Sequence, residues 1–364
     1  MLTTRIALLM IAAGCSGVAG DWITDRGGTP VKTPSGEVTE ISFRSAWVTD
    51  SDLVHIARLP DLSRLDLSLT RISDGALEGV RNLPALSELD LSYAEAIGDG
   101  GVAHLRSLKN LKRLSLEGTT VTDSGMGSLA VLTTLESLNL RCTQVTDAAL
   151  ERLEPLNRLE ELAIGGNRVT GNGLEYLRVF PRLKHLDLSG VQSTDSGLWS
   201  VSLTDLNMPA LARLTGLESL NLAQPEIPGA GRFTFKDILE VVRMQVTDLG
   251  IAQLRSLEKL RSLDLTGVHV TTQGIEALTG LPHLENLVLA HASHIDDSSV
   301  TAICKLRQLK TLDLRGTRIG NGSLRQLSGI RTLQKISLSG AGVTADAVAA
   351  FRQERPDCEV LRSE

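Results

Sequence analysis

Leucine residues recur along this chain in a pattern that repeats about every 24 residues. One copy of the motif L-x-x-L-x-L is formed by Leu111, Leu114 and Leu116. The same three slots are filled 24 residues later by Leu135, Leu138 and Leu140. Apolar and polar residues alternate within the motif, which predicts a short β-strand. The apolar residues that follow are spaced three apart, as on one side of a helix. Each unit is therefore predicted to be a strand, a turn and a helix.

Twelve copies of this unit can be counted between Val38 and Asp357. Most are 24 residues long, and the copies that begin at Leu86 and Leu284 have 25. The twelve copies begin at Val38, Leu62, Leu86, Leu111, Leu135, Leu159, Leu183, Leu217, Leu260, Leu284, Leu309 and Leu333. One unit alone cannot bury its leucines, whereas stacked neighbours bury them together. The pattern therefore predicts one elongated repeat array rather than several globular domains.

Polar residues also recur at fixed places in the repeat. An aspartate, such as Asp123 or Asp248, stands just before several predicted helices, where it is expected to accept from free backbone N–H groups as an N-cap. A glycine, such as Gly125, recurs in the first helical turn and predicts close packing of neighbouring helices. A threonine, such as Thr119, stands where the chain leaves the strand, and its hydroxyl is expected to bond a turn amide.

Two repeats are interrupted. The repeat that begins at Leu183 is ten residues longer than the others. Both Thr194–Asp195 and Thr204–Asp205 fit the same slot in it, which indicates a duplicated half-repeat. The repeat that begins at Leu217 carries about nineteen extra residues, and we assign the insertion to residues 223–245. Insertions in repeat proteins often lie on the binding face, and a neutral insertion is the alternative.

This pattern resembles the leucine-rich repeat family. The resemblance rests on L-x-x-L-x-L followed by V-T-D-x-G-L, and it covers 320 of the 364 residues. The second half is similar to the cysteine-containing subclass of F-box leucine-rich proteins and of many bacterial repeat proteins, with threonine in place of the cysteine. No F-box precedes the repeats, because residues 21–37 are too few to form one. The resemblance implies an α/β fold, a curved solenoid of about twelve repeats with parallel strands on its concave face and helices on its convex face.

The first twenty residues are predicted to be a signal peptide. Residues 1–20 combine a positively charged start, a short apolar run and small residues after it. The end of this run resembles the bacterial lipobox, which implies that Cys15 becomes the lipidated first residue of the mature chain. Cleavage after Ala19 or Gly20 is the alternative, and a buried N-terminal helix is a second one.

Both ends of the repeat array are predicted to be capped. Residues 21–37 are interpreted as a linker and an N-terminal cap, in which Thr29–Thr33 forms a small strand over the first repeat. Phe351 and the C-terminal residues 358–364 would close the other end. Such caps keep the apolar ends of a repeat array out of water.

Composition excludes several other classes of protein. The chain is 42% hydrophobic, which excludes a disordered chain, and its formal net charge of -6 lacks the basic excess that attracts nucleic acid. No apolar run reaches the roughly 18 residues of a membrane-spanning helix. Four cysteines in 364 residues exclude a disulfide scaffold. Three of them fall in different repeats and are expected to be free thiols: Cys142, Cys304 and Cys358.

The exposed slots of the predicted strands carry mostly polar side chains of mixed charge. Tyrosine and arginine are favoured at binding hot spots, and few exposed slots hold either residue. The candidate binding residues lie in successive repeats and are Tyr93, Arg113, Glu117, Asn139 and Arg141. A solvated surface without a ligand is the alternative.

Catalytic and metal-binding motifs were not found in the sequence. Asp66 and Asp90 occupy the same slot of adjacent repeats, as paired catalytic or calcium-binding carboxylates would, but aspartate is frequent in this slot. His291 and His294, followed by two aspartates, lack the third ligand of a zinc site. We therefore expect no catalytic residue, no metal and no cofactor.

These observations predict a non-catalytic scaffold that binds a protein ligand at the bacterial cell envelope. The ligand would contact the strand face, the insertion at 223–245, or both. The only membrane contact would be a lipid at Cys15, and no nucleic-acid partner is expected. Three alternatives stay open: a cytosolic adaptor, if residues 1–20 are not a signal; an enzyme with its site in the insertion; and a purely structural envelope protein.

Overall fold

A computed structural model describes residues 18–194, 197–224 and 245–362 of the chain. Cys15 and most of the predicted signal peptide and insertion lie outside these described residues. Internal contacts divide the chain into two units. One unit is Met1–Val145 with Arg152–Leu159, and the other is Thr146–Glu151 with Glu160–Glu364.

The described part of the first unit contains a ladder of six strands, hydrogen-bonded in sequence order. The strands are β1 (Thr29–Lys32), β2 (Val38–Ser42), β3 (Arg64–Asp66), β4 (Glu88–Asp90), β5 (Arg113–Ser115) and β6 (Ser137–Asn139). Neighbours from β2 to β6 run parallel, and β1 is antiparallel to β2. The strand predicted over Thr29–Thr33 is therefore present as β1, at the start of the ladder.

The described part of the second unit contains a ladder of eight parallel strands and a separate hairpin. The hairpin pairs β9 (Gln192–Thr194) with β10 (Gly197–Trp199). The ladder strands are β7 (Glu161–Ala163), β8 (His185–Asp187), β11 (Ser219–Asn221), β12 (Ser262–Asp264), β13 (Asn286–Val288), β14 (Thr311–Asp313), β15 (Lys335–Ser337) and β16 (Glu359–Leu361). Each of the twelve predicted repeats has its strand where the motif places it.

Short helices connect the strands. The α-helices are α1 (Val18–Asp25), α2 (Asp50–Leu53), α3 (Leu77–Val80), α4 (Asp99–His104), α5 (Met126–Leu129), α6 (Asp147–Arg152), α7 (Gly171–Leu174), α8 (Met208–Ala212), α9 (Asp248–Ile251), α10 (Thr272–Leu278), α11 (Val300–Ile303), α12 (Asn321–Leu327) and α13 (Ala345–Glu354). Single 3-10 turns occur at Val54–Arg58, Asp74–Ala76, Leu105–Ser107, Glu175–Val179, Ala252–Ser256 and Asp297–Ser299. Most of these helices have only one or two turns, too short to be stable alone. Their stability must come from packing against the ladder.

The leucines of successive strands stack directly on one another. Leu65 pairs in register with Leu89, which pairs with Leu114. All three are at most 2% exposed. The residues on either side of each leucine project to the opposite face of the strand, as a period of two requires. Burying one leucine contributes about 1.5–3 kcal/mol, so the core is a column of equivalent contributions along each ladder.

Aspartates at the helix starts bind the next repeat, which corrects their predicted N-cap role. Asp99 accepts hydrogen bonds from the backbone N–H (2.9 Å) and the hydroxyl (2.6 Å) of Thr122, one repeat later. Asp248 binds the N–H (2.8 Å) and hydroxyl (2.5 Å) of Thr271 in the same way. The N-cap prediction was wrong for Asp248 because Thr247 already occupies that position in front of α9, where its side chain accepts the backbone N–H of Leu249. The junction aspartates with this type of contact are Asp50, Asp74, Asp99, Asp147, Asp205, Asp248 and Asp297.

The recurrent glycine in the first helical turn makes room for the carboxylate of a junction aspartate. A Cβ atom on Gly125 would lie 2.6 Å from Oδ1 of Asp99, and a Cβ on Gly274 would lie 2.4 Å from Oδ1 of Asp248. Both distances are shorter than any normal contact. Close packing at this glycine is confirmed, and its partner is a carboxylate rather than a helix.

The threonines at the strand exits bond a carbonyl, not the predicted turn amide. The hydroxyl of Thr119 donates to the carbonyl oxygen of Leu116 at 2.7 Å, and Thr317 donates to Leu314 at 2.6 Å. The prediction was wrong because the turn closes on that same carbonyl, which also accepts the backbone N–H of Thr119 at 3.2 Å. The buried hydroxyl is thereby satisfied inside its own repeat.

The hairpin takes the place of the predicted duplicated half-repeat. Thr194 lies in β9, whereas Asp195 lies outside the described residues. Thr204–Asp205 fills the repeat slot instead, since Asp205 binds the backbone N–H of Thr247 at 2.8 Å. The repeat with ten extra residues therefore has one Thr-Asp pair in the repeat position, not two, and the ladder continues without a break.

The ladder also includes the edges of the predicted insertion. The carbonyl of Ala223 accepts the N–H of Gly190 at 3.0 Å, and the N–H of Gln224 donates to Thr266 at 2.7 Å. On the other side, the N–H of Gln245 donates to Leu203 at 2.7 Å. The sequence assigned these three residues to the insertion at 223–245. In the structure they form backbone hydrogen bonds with neighbouring repeats, as the regular repeat residues do.

Aromatic packing covers the start of the first ladder. Ile23 of α1 is fully buried, and the ring of Trp22 lies 5.7 Å from that of Phe43. Arg26 pairs with Asp52 of α2 at 2.9 Å. Helix α1 and strand β1 together cover the outer side of the first repeat, including Phe43.

A buried arginine organises the end of the second ladder. Arg355 is only 2% exposed, and its guanidinium donates to the carbonyls of Ile330 and Leu333, both at 2.6 Å. It also binds Asp357 at 2.8 Å, and this hydrogen bond lowers the pKa of Asp357 to about 2. Phe351 is buried beside it, and β16 adds a parallel strand to the ladder.

Candidate functional site

Four of the five predicted binding residues meet around one carboxylate. The hydroxyl of Tyr93 donates to Oε1 of Glu117 at 2.9 Å, and the side-chain amide of Asn139 donates to Oε2 at 3.0 Å. The guanidinium of Arg141 lies 3.8 Å from Oε1. We call these four residues the Glu117 cluster. Both oxygens of its carboxylate are engaged.

The repeat spacing brings these residues together. Tyr93 follows β4, Glu117 follows β5, and Arg141 follows β6, so each leaves its strand at the same edge of the ladder. The backbone N–H of Tyr93 donates to the carbonyl of Glu117 at 2.6 Å, and Gly118 donates to Arg141 at 2.9 Å. Neighbouring side chains are therefore one strand spacing apart, about 4.8 Å.

The cluster fixes an aromatic ring at the surface. Tyr93 is 45% exposed, and its backbone is left-handed, with φ of 59°. The next rung carries Gly118, where a Cβ atom would lie 2.6 Å from the tyrosine ring. Partial burial and the hydrogen bond to Glu117 raise the pKa of Tyr93 to about 12. The phenol thus remains a neutral hydrogen-bond donor throughout the physiological range.

Arg113 lies in a different row of the strand face. It pairs in register with Glu88 on one side and Ser137 on the other. This row alternates in charge, and Arg64 binds Glu88 at 2.9 Å and lies 3.8 Å from Glu40. Together with Asp66, Asp90 and Asn139, the row lines a groove of about 520 Å³ across the first ladder.

A family model described as "Leucine Rich repeat" matches residues 107–130 and 131–153. These two stretches include β5, β6 and the α5 helix between them, and the same strand-and-helix unit recurs through both ladders. The chain therefore contains leucine-rich repeats. The family resemblance and the α/β repeat fold expected from the sequence are thus confirmed, whereas the cysteine-containing subclass stays a prediction.

This leucine-rich repeat protein shares its fold with bacterial proteins of low sequence identity. An internalin, inlF, from Listeria monocytogenes superposes with a TM-score of 0.56 at 20% identity, over 94% of each chain. A leucine-rich repeat protein of Leptospira interrogans gives a TM-score of 0.50 at 18% identity, over 84% of this chain and 74% of the other. A search of curated proteins found no significant relative.

The paired aspartates of the leucine-rich repeat ladder are held by serines. Asp66 and Asp90 stand opposite each other in register. Oδ1 of Asp66 accepts the N–H of Ser68 at 2.9 Å, and Oδ1 of Asp90 accepts the N–H of Ser92 at 2.8 Å. Each carboxylate therefore closes the turn after its own strand. Among the described residues, no group of three potential metal ligands was found.

One aspartate in this slot of the leucine-rich repeats has a perturbed acidity. Asp264 lies in the second ladder, and burial raises its pKa, with further contributions from Asp313 and Asp187. Its Oδ1 still accepts the N–H and the hydroxyl of Thr266, at 2.8 and 2.7 Å. The neighbouring slot in register holds Asn221 instead.

The predicted histidine and aspartate cluster is divided between separate roles. The ring of His294 packs at 5.5 Å against that of His269 in the preceding repeat. Asp296 caps its own 3-10 turn through the N–H of Ser298 at 2.9 Å, and Asp297 is a junction aspartate bound to Gly320 at 2.7 Å. These contacts give both aspartates a structural explanation.

Sequence reasoning missed two exposed apolar residues of the first unit. Trp47 is 79% exposed and Leu69 is 44% exposed. Leu69 has a left-handed backbone, with φ of 58°, in the slot that Gly118 fills elsewhere. A leucine in a glycine slot was the available signal, but it is not part of the repeating pattern that identified the other residues.

No helix among the described residues of this leucine-rich repeat protein is long and apolar enough to span a membrane. None of its three described cysteines is in a disulfide. Burial raises the pKa of the Cys304 and Cys358 thiols.

Proposed function

We propose that this protein is a non-catalytic scaffold that binds a protein ligand on the strand face of its first unit. The observation that carries the proposal is the Glu117 cluster, because it presents tyrosine and arginine, the residue types of binding hot spots. The hydrogen bond to Glu117 holds the phenol of Tyr93 in place before a ligand arrives, and the guanidinium of Arg141 lies 3.8 Å from the same carboxylate. Such preorganisation reduces the entropy lost on binding.

The adjoining groove supports this proposal. Its floor consists of strand residues with alternating charges, so a ligand surface of matching charge pattern would dock in one register. Charged side chains across an interface contribute specificity more than affinity. The Glu117 cluster would then supply affinity, and the row from Glu40 to Arg113 would select the partner.

Mutation of Arg141 tests the binding site. We expect Arg141→Glu to abolish ligand binding while leaving the fold intact, since the new carboxylate would face Glu117 and repel an acidic partner group. A photo-crosslinking residue at Ser115, in the groove, would first identify the ligand in cells, and calorimetry would then compare affinities. Arg325→Glu, on the exposed side of α12, is the matched control.

Two results would contradict the proposed site. One is unchanged affinity in Arg141→Glu when circular dichroism shows a native fold. The other is crosslinking at Arg325 but not at Ser115. Either result would move the ligand away from the first unit.

We further propose that the protein is exported and anchored at the cell envelope through a lipid on Cys15. Helix α1 spans Val18–Asp25, so cleavage after Ala19 or Gly20 would cut it, whereas processing at Cys15 leaves it whole. Ile23 of this helix is buried, so loss of the helix would expose apolar surface of the first repeat to water. The two solved structures compared above are both of bacterial proteins.

Fractionation of wild type and Cys15→Ala tests the anchor. We expect the wild type in the membrane fraction, with an intact mass that shows a lipid-sized addition on Cys15, and the variant in the soluble fraction. A chain that starts at an unmodified Met1 and is soluble would overturn export and favour a cytosolic adaptor.

A further inference from the structure

An aromatic, an aliphatic and an arginine side chain lie together where the chain leaves the strands of the first two repeats. Trp47 is the most exposed of the described aromatic residues, and Arg71 places its guanidinium carbon 5.5 Å from the centre of the indole ring. Leu69 lies beside them, and all three line a cleft of about 750 Å³. We call Trp47, Leu69 and Arg71 the Trp47 corner.

Folding does not explain the leucine in this corner. Leu69 is exposed, so its side chain gains little from burial, and its φ of 58° is one that L-residues other than asparagine and aspartate rarely adopt. Glycine fills the equivalent slot at Gly118 and Gly316, and the residues that replace it elsewhere on a left-handed backbone are not aliphatic: Ser45, Tyr93, Cys142 and His291. An exposed apolar side chain on a disfavoured backbone indicates a role outside the fold.

The corner also has unbalanced positive charge. Arg71 forms no ion pair with any described residue, in contrast to Arg64, which lies between Glu40 and Glu88. The acidic residue that lines this cleft is Asp50, and its carboxylate is occupied by the backbone N–H (2.8 Å) and the hydroxyl of Ser73. The guanidinium stacked on Trp47 therefore keeps its N–H donors for another carboxylate.

We propose that the Trp47 corner is a subsite for an acidic, apolar peptide segment of the protein ligand. An apolar side chain of the segment would pack against Trp47 and Leu69, and an adjacent carboxylate would pair with Arg71. The inference rests on the proposed protein-binding function, but it uses none of the residues of the Glu117 cluster. An anionic membrane is a poorer match, because membrane-binding surfaces gather four or more basic residues.

Peptide binding in solution tests this subsite. The probes are fluorescein-labelled peptides in which glutamates flank one phenylalanine or leucine at varied spacing, with glutamine and alanine versions as matched controls. We expect fluorescence anisotropy to show binding of the acidic, apolar peptides, and binding weaker by about tenfold when either feature is removed. Arg141→Glu should leave this binding unchanged, which separates the subsite from the Glu117 cluster.

Variants of the corner provide the decisive comparison. Leu69→Gly should lose most peptide affinity while its melting temperature stays equal or rises, because glycine accepts the left-handed backbone. Arg71→Gln should abolish the preference for acidic over glutamine peptides. Val54→Ala, at another exposed apolar residue of the same unit, is the control and should bind normally. If Leu69→Gly fails to fold, Leu69→Asn provides the same test.

Three outcomes would overturn the proposal. The first is no binding of any acidic, apolar peptide to the folded protein. The second is equal binding of the glutamate and glutamine peptides. The third is binding to phosphatidylglycerol vesicles that depends on Leu69 and Arg71, which would assign the corner to a membrane surface.

Discussion

Individual residues depart from the repeat where the molecule displays something at its surface. The position three residues after each strand has a left-handed backbone at Gly118, Gly166 and Gly267, with φ between 68° and 70°. Five other residues hold the same position with φ between 51° and 59°, and two of them, Leu69 and Tyr93, are large, hydrophobic and exposed. An L-residue pays roughly 1–2 kcal/mol for this backbone, so these two side chains oppose stability.

Asp264 offers a test of how burial opposes charge at one residue. Burial raises its pKa, so the folded state disfavours the ionised carboxylate. We expect Asp264→Asn to raise the free energy of unfolding near neutral pH, because an amide keeps the acceptor for Thr266 and removes the buried charge. The advantage should shrink as the pH falls toward the ordinary aspartate pKa of 3.8.

Chemical denaturation of wild type and variant over this pH range makes the comparison. The direction follows from linkage: a raised folded pKa means that wild-type stability is lost as the pH rises through it. Asn221, whose Oδ1 accepts the N–H of Ala223 at 3.0 Å, shows that asparagine fits the same slot. A variant that is less stable at neutral pH, or a pH-independent difference, would refute the assignment.

Periodicity was sufficient to assemble most of the candidate site. Glu117 and Arg141 fill the same slot of successive repeats, and Tyr93 fills the next position along the chain one repeat earlier, so the register alone brings the three residues to one edge. The role of Asp99 could not be found in this way. Its partner Thr122 lies 23 residues away in the next repeat, whereas capping rules consider only neighbours within a helical turn.

The helices of this molecule depend on their junctions. Helix α5 has four residues and helix α9 has four, which is below the length that sustains an isolated helix. Seven junction aspartates tie the start of a helix or 3-10 turn to the neighbouring repeat, so these repeats share their hydrogen bonds. Folding of one repeat therefore stabilises the start of the next.

A double-mutant cycle at one junction tests this coupling. Gly125 has a helical backbone, so alanine there should stabilise a free helix by about 0.5–1 kcal/mol. We expect Gly125→Ala to destabilise the protein instead, because its Cβ would lie 2.6 Å from Oδ1 of Asp99. Asp99→Ala should cost about 1–2 kcal/mol through the lost contacts with Thr122.

The double variant should be less destabilised than the sum of the two single variants, since removing the carboxylate creates room for the new methyl group. Urea denaturation measures all four free energies of unfolding. Gly127→Ala is the control, because a Cβ there meets no atom within 4 Å. Strict additivity at Gly125 and Asp99 would show that the two residues do not compete for space.

The sequence pattern alone cannot decide which of two Thr-Asp pairs near the hairpin belongs to the repeat. Thr194–Asp195 and Thr204–Asp205 match the repeat slot equally well. Only the position of Thr247, fixed by the following helix α9, selects Asp205 as the partner. A long-range hydrogen bond therefore decides between two local matches of equal quality.

At the scale of the whole molecule, the repeat is complete without the extra residues of its interrupted copy. Deleting residues 226–244 restores a 24-residue repeat, and Pro225→Thr then places threonine in its usual strand-exit slot. We expect this variant to unfold cooperatively, with a free energy of unfolding within about 1 kcal/mol of wild type, because Gln224 and Gln245 bond to neighbouring repeats without the deleted residues, and chain length between two fixed points has a small entropic cost. Far-UV circular dichroism and thermal denaturation provide the measurement.

The same variant separates the two proposed ligand positions. Retained affinity for the protein ligand would support the strand face of the first unit, and lost affinity in a folded variant would place the ligand at 223–245. Loss of cooperative unfolding would show that the extra residues are part of the fold. A control that carries only Pro225→Thr distinguishes the deletion from the substitution.

The repeating residues predicted the fold, and the residues that do not repeat were harder to interpret. A leucine equivalent to Leu89 recurs in ten of the twelve units, and isoleucine fills the slot in the other two, so the role of this slot could be derived many times over. Among the described residues, no other repeat has a leucine at the position of Leu69 or a buried arginine like Arg355. The repeat pattern therefore could not predict that Leu69 is exposed on a left-handed backbone or that Arg355 is buried. Binding surfaces and caps are built from such single departures.

The capped ends of the ladders have a consequence for the protein at high concentration. An open parallel ladder would be a template on which further chains could add strands and grow into fibrils. In the first unit the outermost strand is β1, which is four residues long, runs antiparallel and contains Pro30, a residue without an N–H to offer an incoming strand. In the second unit the terminal strand β16 has only three residues. Most of the described chain consists of similar repeats with parallel strands, and we expect these end strands to oppose the addition of further chains.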